Sequence, residues 1–245
     1  MIYYAIPAYN EEDNLDLLVG MIASAMEEAK LEYKIVVVDD GSTDQTAAII
    51  ERLSKQYPIV ALANERNMGL GKTLGKALRK ASELSHPGDV VVTMDGDATH
   101  DPAYVPALVR RINDGADVAI ASRFASGGEA RGVAAYRKIL SSGAGLLLKA
   151  AFPIKGVRDY TSGFRGYRAE ALRKAFDDLG DGFITEAGFS VSPEIILKLH
   201  KIGANIQEEP FVLRYDLKGG ESKIRIMKTI SQYLKMIVRL KLKAS

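Results

Sequence analysis

Asp95-Gly96-Asp97 closes the apolar run Val90–Met94, and this pair of carboxylates is the strongest chemical signal in the chain. On an extended strand, alternation points Asp95 and Asp97 the same way, so both can converge on one hard cation. Gly96 between them lets a phosphate-bearing ligand approach the backbone. An isolated D-G-D is more often a solvated turn, but here three further polar clusters also follow apolar runs, and that shared placement favours a binding edge. Pro7-Ala8-Tyr9-Asn10-Glu11-Glu12 follows the first run and Asp39-Asp40-Gly41-Ser42-Thr43-Asp44 the second. Both suit helix-capping loops, and the adjacent acids Asp39 and Asp40 also suit hydrogen bonds from a nucleobase or ribose. The third cluster, Asn67-Met68-Gly69-Leu70-Gly71-Lys72-Thr73, imitates a phosphate loop without its spacing. Arg66 stands where the NTPase motif needs its first Gly, and Gly69, Gly71 and Gly75 miss the dinucleotide pattern G-x-G-x-x-G. What remains is a Gly-rich start of a helix, with Lys72 able to face an anion.

The elements that must position these clusters alternate between strand and helix. β-Branched runs recur at Ile2–Ile6, Ile35–Val38, Ile59–Ala63, Val90–Met94 and Val118–Ala121. Between them, helical spacing predicts helices over Asp13–Lys30, Asp44–Tyr57, Leu70–Leu84 and Pro102–Ile112. Crossover helices between short strands imply an α/β fold: a mostly parallel central sheet with helices on both faces and its ligand at the carboxyl ends of the strands. After Arg123 the pattern loosens. Ala125–Gly132 is Gly/Ser-rich and reads as a mobile loop, followed by a helix from about Ala135 to Ala151. Then come a strand at Gly163–Tyr167, helices at Ala169–Phe176 and Pro193–His200, one strand at Asn205–Leu213, and a final helix from about Ser222.

The 245 residues suit one α/β domain, and 47% apolar with 26% charged residues exclude disorder as the main state. With no cysteine, disulfides, iron–sulfur clusters and thiolate zinc sites are excluded, and His86, His100 and His200 are too scattered for an imidazole site. Any metal must therefore sit on oxygen. Residues 222–245 carry seven of the 33 Lys/Arg and no acid, so residues 1–221 hold 26 basic against 31 acidic residues. A nucleic-acid binder would spread its positive charge over the folded body, so no nucleic-acid partner is expected and the tail points to an anionic membrane surface. In that tail Ile226, Ile230, Tyr233, Ile237 and Leu240 share one helical face, with Lys228, Lys235 and Arg239 opposite. The first residues lack the pattern of a signal peptide, and the uncharged run Ile139–Leu148 is too short to span a bilayer, so a cytoplasmic, peripherally membrane-associated protein is expected.

The motifs IPAYNEEDNL, VVVDDGSTDQT, NMGLGKTLGKAL, MDGDATHDP, IASRF and DYTSGFRGYR, in this order, resemble those of the inverting GT-A-fold glycosyltransferases of family 2. Within that group the chain is similar to the dolichol-phosphate mannose synthase-like, polyprenyl-phosphate branch, and GGESK near residue 220 resembles its C-terminal motif. The resemblance implies a catalytic domain over 1–213, with a nucleotide-sugar half at 1–122 and an acceptor half at 123–213, and a basic amphipathic segment at 214–245. It places Pro7, Tyr9, Glu11 and Asp40 around the nucleoside and gives Asp95 and Asp97 a divalent ion, Mg²⁺ or Mn²⁺, against the diphosphate. Arg123 would face the sugar-phosphate region. Arg137 and Ser141, four residues apart on one helix face, resemble the acceptor-phosphate site, a planar cation beside a neutral donor. Thr99 stands where many relatives carry the Gln of D-x-D-x-Q, and Leu217 stands three residues before Gly220 where they carry an Arg. That leaves Arg214 or Lys223 to cover the diphosphate.

The reaction so implied is inverting transfer of a hexose, mannose or glucose, from a GDP- or UDP-sugar to a polyprenyl phosphate. A phosphate monoester is largely a dianion at neutral pH, with a second ionisation near pH ~6, and needs no strong base. A hydroxyl acceptor, on a glycan or small lipid, needs one, which Asp159 or Glu186 could supply. A nucleotidyltransferase and a non-catalytic nucleotide-sugar-binding module are the remaining alternatives.

Overall fold

The structure, a computed structural model, describes residues 1–133, 135–215 and 226–242. Its first half alternates as the apolar runs require: β1 (Ile2–Ala8), α1 (Leu15–Ala29), β2 (Tyr33–Asp39), α2 (Thr46–Ser54), β3 (Ile59–Ala63), α3 (Leu70–Leu84), β4 (Val90–Thr93), α4 (Val105–Asn113) and β5 (Val118–Ser122). The second half adds β6 (Glu129–Arg131), α5 (Ala135–Ala151), β7 (Arg165–Arg168), α6 (Ala169–Leu179), α7 (Val191–Lys201), β8 (Ile206–Pro210), β9 (Val212–Arg214) and α8 (Ile226–Leu242).

Seven strands form one sheet in the order β3-β2-β1-β4-β7-β5-β8, parallel throughout except for β7, which runs against both β4 and β5. The strand order turns back between β1 and β4, which opens a crevice at their carboxyl ends. β1 is buried on both faces and divides its side chains by alternation: Ile2, Tyr4 and Ile6 enter the core under α1 and α4, while Tyr3 and Ala5 enter the core under α3, α6 and α7. Among the described residues β5 pairs only with β7 and β8, so residues 1–122 and 123–213 share one sheet.

Three expectations change. The run Asn205–Leu213 is two strands, because Pro210, the last residue of β8, has no amide to donate further along the ladder. The chain then leaves the main sheet, and β9 pairs in parallel with β6. Part of the expected mobile loop Ala125–Gly132 is therefore strand β6. Gly128 makes the turn before it possible, since a Cβ there would lie 2.4 Å from the Ser122 carbonyl oxygen. Finally, α8 packs onto the domain, with Tyr233 and Met236 buried in the core. Of the expected inner face, Tyr233 is buried and Ile230, Ile237 and Leu240 are partly buried, with Ile226 outside the described side chains; Arg239 also turns inward to Glu186 and Glu194, and Leu234, Val238 and Leu242 are exposed apolar residues.

Candidate active site

A cavity of about 430 Å³ opens at the carboxyl ends of β1 and β4. Pro7 reaches it from the end of β1, Tyr9 and Glu11 from the loop that follows, and Asp40 from the residue after β2. The two loops are laced together: the Asn10 amide donates to the Ser42 hydroxyl (3.0 Å), the Glu11 amide to the Thr46 hydroxyl (2.8 Å), and the Thr43 amide to the Asn10 side chain (2.9 Å). Asp44 accepts from the amides of Thr46 and Glu12, and these bonds overcome the effect of burial to hold its carboxyl below the usual range. Two capping loops thus form one rigid wall.

Asp40 is buried, and its carboxylate accepts from the Met68 amide (2.8 Å), the Gly69 amide (2.9 Å) and the Asn64 side chain (2.8 Å). Three of about four lone-pair positions are therefore spent on Asn64 after β3 and on the two amides before α3, so Asp40 ties these segments together and has little acceptor capacity left for a ligand. Lys72 is corrected. The buried face of α3 carries Gly71, Thr73, Leu74, Ala77 and Leu78, which leaves Lys72 exposed on the other side and away from the cavity. Thr73 lines the cavity in its place.

The acidic pair lies in the turn after β4 rather than on the strand itself, which ends at Thr93. Asp95 and Asp97 nevertheless both line the cavity, and the turn continues through Ala98 at φ +55°. Thr99 is buried, and its hydroxyl and amide donate to Asp97 Oδ1 (2.7 and 3.3 Å), so it orients Asp97. His100, stacked on Phe164, accepts from the Asp95 amide through Nδ1 (3.1 Å). The pair is hard-oxygen chemistry suited to Mg²⁺ or Mn²⁺. Among the described residues no group of three or more His, Cys, Asp or Glu could hold a metal, so an ion here would complete its shell with diphosphate oxygens and water.

Arg123 follows β5, and Asp159 precedes the antiparallel β7; the insertion of β7 between β4 and β5 brings them together. Arg123 donates through Nε (2.8 Å) and Nη2 (2.7 Å) to the two carboxylate oxygens of Asp159, through its amide to the same group (3.1 Å), and through Nη2 to Thr161 (2.7 Å). Asp159 is fully buried. Burial alone would raise its carboxyl, but Arg123 and the amides around it hold it below the usual range; reciprocally Asp159 raises Arg123 against the effect of burial. Such a carboxylate is a poor proton acceptor, so the base role expected of Asp159 is replaced by that of fixing Arg123 at the cavity. Glu186 is likewise committed, to Ser190 and to Arg239 (2.7 Å).

On the acceptor side, Arg137 and Ser141 are placed on α5, with their side chains outside those described; Val133 before this helix and Ala144 within it line the cavity. Arg214 ends β9 between Leu213 and Tyr215. Those two line the cavity and Arg214 does not, as alternation along the chain directs. Lys223 lies outside the described residues. Sequence reasoning missed Tyr233, which enters the cavity from α8 with its phenol pushed up to about 12 by burial, partly offset by Arg123. Thr161 and Ser162 of the DYTSGFRGYR motif also line the cavity, a placement the motif alone does not reveal.

An open, mostly parallel sheet with one inserted antiparallel strand, an acidic pair after β4 and a nucleotide-sized cavity beside it is the architecture of the GT-A nucleotide-sugar transferases. The chain belongs to glycosyl transferase family 2, which it matches over residues 4–176. It is 36% identical over 236 residues to dolichol-phosphate mannosyltransferase of Pyrococcus furiosus, covering 96% of this chain and 62% of that one, so it spans less than two thirds of that relative's length. It is 33% identical over 241 residues to polyprenol monophosphomannose synthase of Mycolicibacterium smegmatis, covering 90% of this chain and 88% of that one. Glucosyl-3-phosphoglycerate synthase of Mycobacterium tuberculosis, solved with Mn²⁺, uridine diphosphate and phosphoglyceric acid, shares the fold with a TM-score of 0.67 at 20% identity, over 98% of this chain and 77% of that one.

Proposed function

We propose that this protein transfers a hexose from a GDP- or UDP-sugar to a polyprenyl phosphate, with inversion at the anomeric carbon. The observation that carries the acceptor assignment is the commitment of Asp159 and Glu186 to Arg123 and Arg239. A hydroxyl acceptor would call on these carboxylates for its proton, whereas a phosphate dianion arrives already deprotonated. An oxygen of that dianion attacks the anomeric carbon as the bond to the nucleoside diphosphate breaks, and the leaving group takes the electron pair. Arg123, locked by Asp159, presents fixed positive charge to the sugar-phosphate region at no cost in reorganisation. Asp95 and Asp97 would hold Mg²⁺ or Mn²⁺, which when bound supplies further positive charge against the diphosphate. Pro7, Tyr9, Glu11 and Asp40 enclose the nucleoside, and Arg137 with Ser141 receives the acceptor phosphate.

A polyprenyl chain must be met at a bilayer. No helix among the described residues is long and apolar enough to cross one. Leu234, Val238 and Leu242 form an exposed stripe on α8, accompanied by exposed Lys235 and Lys241, while Leu146 and Leu147 are exposed on α5, which packs beside it. This combination supports reversible binding to an anionic membrane surface, with apolar residues inserting and lysines paired to lipid headgroups. The test is a transfer assay across UDP- and GDP-hexoses with Mg²⁺ or Mn²⁺, with and without polyprenyl phosphate. Lipid-phosphate-dependent turnover of one donor is expected; turnover only with hydroxyl acceptors would refute the proposal.

A further inference from the structure

Glu194 is fully buried, yet it lies outside the cavity and takes no part in the transfer described above. Its carboxylate gathers three segments. It accepts from the amides of Thr185 (2.9 Å) and Glu186 (2.8 Å), from the Thr185 hydroxyl, and from Lys198 Nζ one turn along α7 (2.6 Å). From α8, Arg239 Nη2 reaches both Glu194 (2.9 Å) and Glu186 (2.7 Å). Burial would raise the Glu194 carboxyl, but Lys198 and the hydrogen bonds around it keep it low and charged.

The segment that Glu194 holds abuts the donor site. The Ala187 carbonyl accepts from the Gly71 amide (3.0 Å), and a Cβ on Gly71 would lie 1.7 Å from the Glu186 carbonyl oxygen, so the loop and the start of α3 touch with no gap. The preceding residues Met68 and Gly69 donate to Asp40 in the cavity wall. At the other end of the clamp, α8 itself contributes Thr229, Ile230 and Tyr233 to the cavity.

We propose that Glu194 and Arg239 are positioning residues forming a clamp that seats α8 as a cavity wall and presses the 185–188 loop onto the start of α3, so that nucleotide affinity depends on how α8 is docked. This rests on the reading of the cavity as the donor site. By linkage, a nucleotide that binds the clamped form better tightens the seating of α8 in return. The helix carrying the exposed apolar stripe is then energetically joined to the donor pocket.

The test compares wild type with Arg239→Gln and Arg239→Lys. Glu194 keeps Lys198 as a partner in both variants, which preserves the fold. With UDP or GDP plus Mn²⁺ as the probe, calorimetry is expected to show about tenfold weaker binding for Arg239→Gln and substantial recovery for Arg239→Lys. Amide hydrogen exchange, measured without nucleotide, is expected to quicken at 68–73, at 185–188 and in α8 of Arg239→Gln, while β1 and β2 keep wild-type protection. General destabilisation would quicken all of these together and so would count against the clamp. Unchanged exchange at 68–73 in Arg239→Gln would overturn it, as would unchanged nucleotide affinity where wild type binds. Failure of wild type to bind either nucleotide would instead overturn the donor-site reading, with the exchange comparison still deciding the clamp.

Discussion

Replacing Asp159 by Asn separates a positioning carboxylate from a base. Oδ1 of Asp159 accepts from Arg123 Nη2 and from the Thr161 and Ser162 amides, and Oδ2 accepts from Arg123 Nε and its amide. An Asn side chain has one oxygen for these donors and sets an NH₂ group against the others, leaving the largely buried Arg123 without its counter-charge. Breaking a buried pair from one side costs about 3–5 kcal/mol. At roughly 2–4 °C per kcal/mol for a chain of this size, Tm should fall by about 6–20 °C. The pH dependence has a definite sign. The folded-state carboxyl is held below its unfolded value, so its contribution is complete above the unfolded pKa of about 4 and disappears as pH falls through the folded one. The Tm gap between wild type and variant should accordingly be full at neutral pH and shrink only in acid below about pH 4. Thermal unfolding from neutral to acid pH, with calorimetric donor binding on the folded variant, measures both effects. A variant with wild-type Tm and donor affinity that had lost only transfer to a hydroxyl acceptor would refute the ion-pair reading and restore a base.

Asp97→Ala should remove the Mn²⁺-dependent part of nucleotide binding, with little change in Tm; undiminished metal-dependent binding by calorimetry would count against the acidic pair as the ion site. Gly71→Ala forces a methyl group onto the Glu186 carbonyl, and should cost at least the roughly 1–3 kcal/mol of ordinary overpacking and weaken nucleotide binding, measurable by denaturant unfolding and titration. Arg137→Ala should raise the KM for a polyprenyl phosphate about 10- to 100-fold, with donor KM nearly unchanged, as loss of a charge-assisted donor to phosphate implies. Combined Leu234→Ser, Val238→Ser and Leu242→Ser should abolish most sedimentation with vesicles containing phosphatidylglycerol while leaving donor binding intact; equal sedimentation would remove α8 from the membrane contact.

Strands and helices of the first half were legible because β-branched runs and helical spacing each admit one reading, and α3 occupies the expected residues Leu70–Leu84. The placement of Asp95 and Asp97 at the cavity was legible because the fold sends strand ends to one edge, whatever the detail of the turn, whereas Arg123 was reached through the family motif. Lys72 was misplaced because a Gly-rich helix start does not reveal which face turns inward; the small residues Gly71 and Thr73 mark it only once the neighbouring loop is known. Arg239 was placed opposite the apolar face of the tail for a similar reason, since its partners Glu186 and Glu194 lie 53 and 45 residues earlier and no local pattern connects them. His100 was judged only as a metal ligand and dismissed as isolated, while its bond is to the backbone of Asp95. The role of Asp159 depended on the antiparallel insertion of β7, which the sequence does not announce.

That insertion also governs how the chain is made. β5 takes both of its partners from later residues, and β4 lacks its outer neighbour until Arg165–Arg168 arrives. A nascent chain ending near Ser122 therefore carries bare strand edges, which remain until Pro210 has left the ribosome. At about 5–20 residues per second this interval lasts several seconds, long enough for edge-to-edge aggregation and for chaperone capture. The turn bearing Asp95 and the carboxylate that fixes Arg123 meet only when the gap closes, so truncated chains released before that point should accumulate as insoluble, donor-blind fragments rather than as a working nucleotide-binding half.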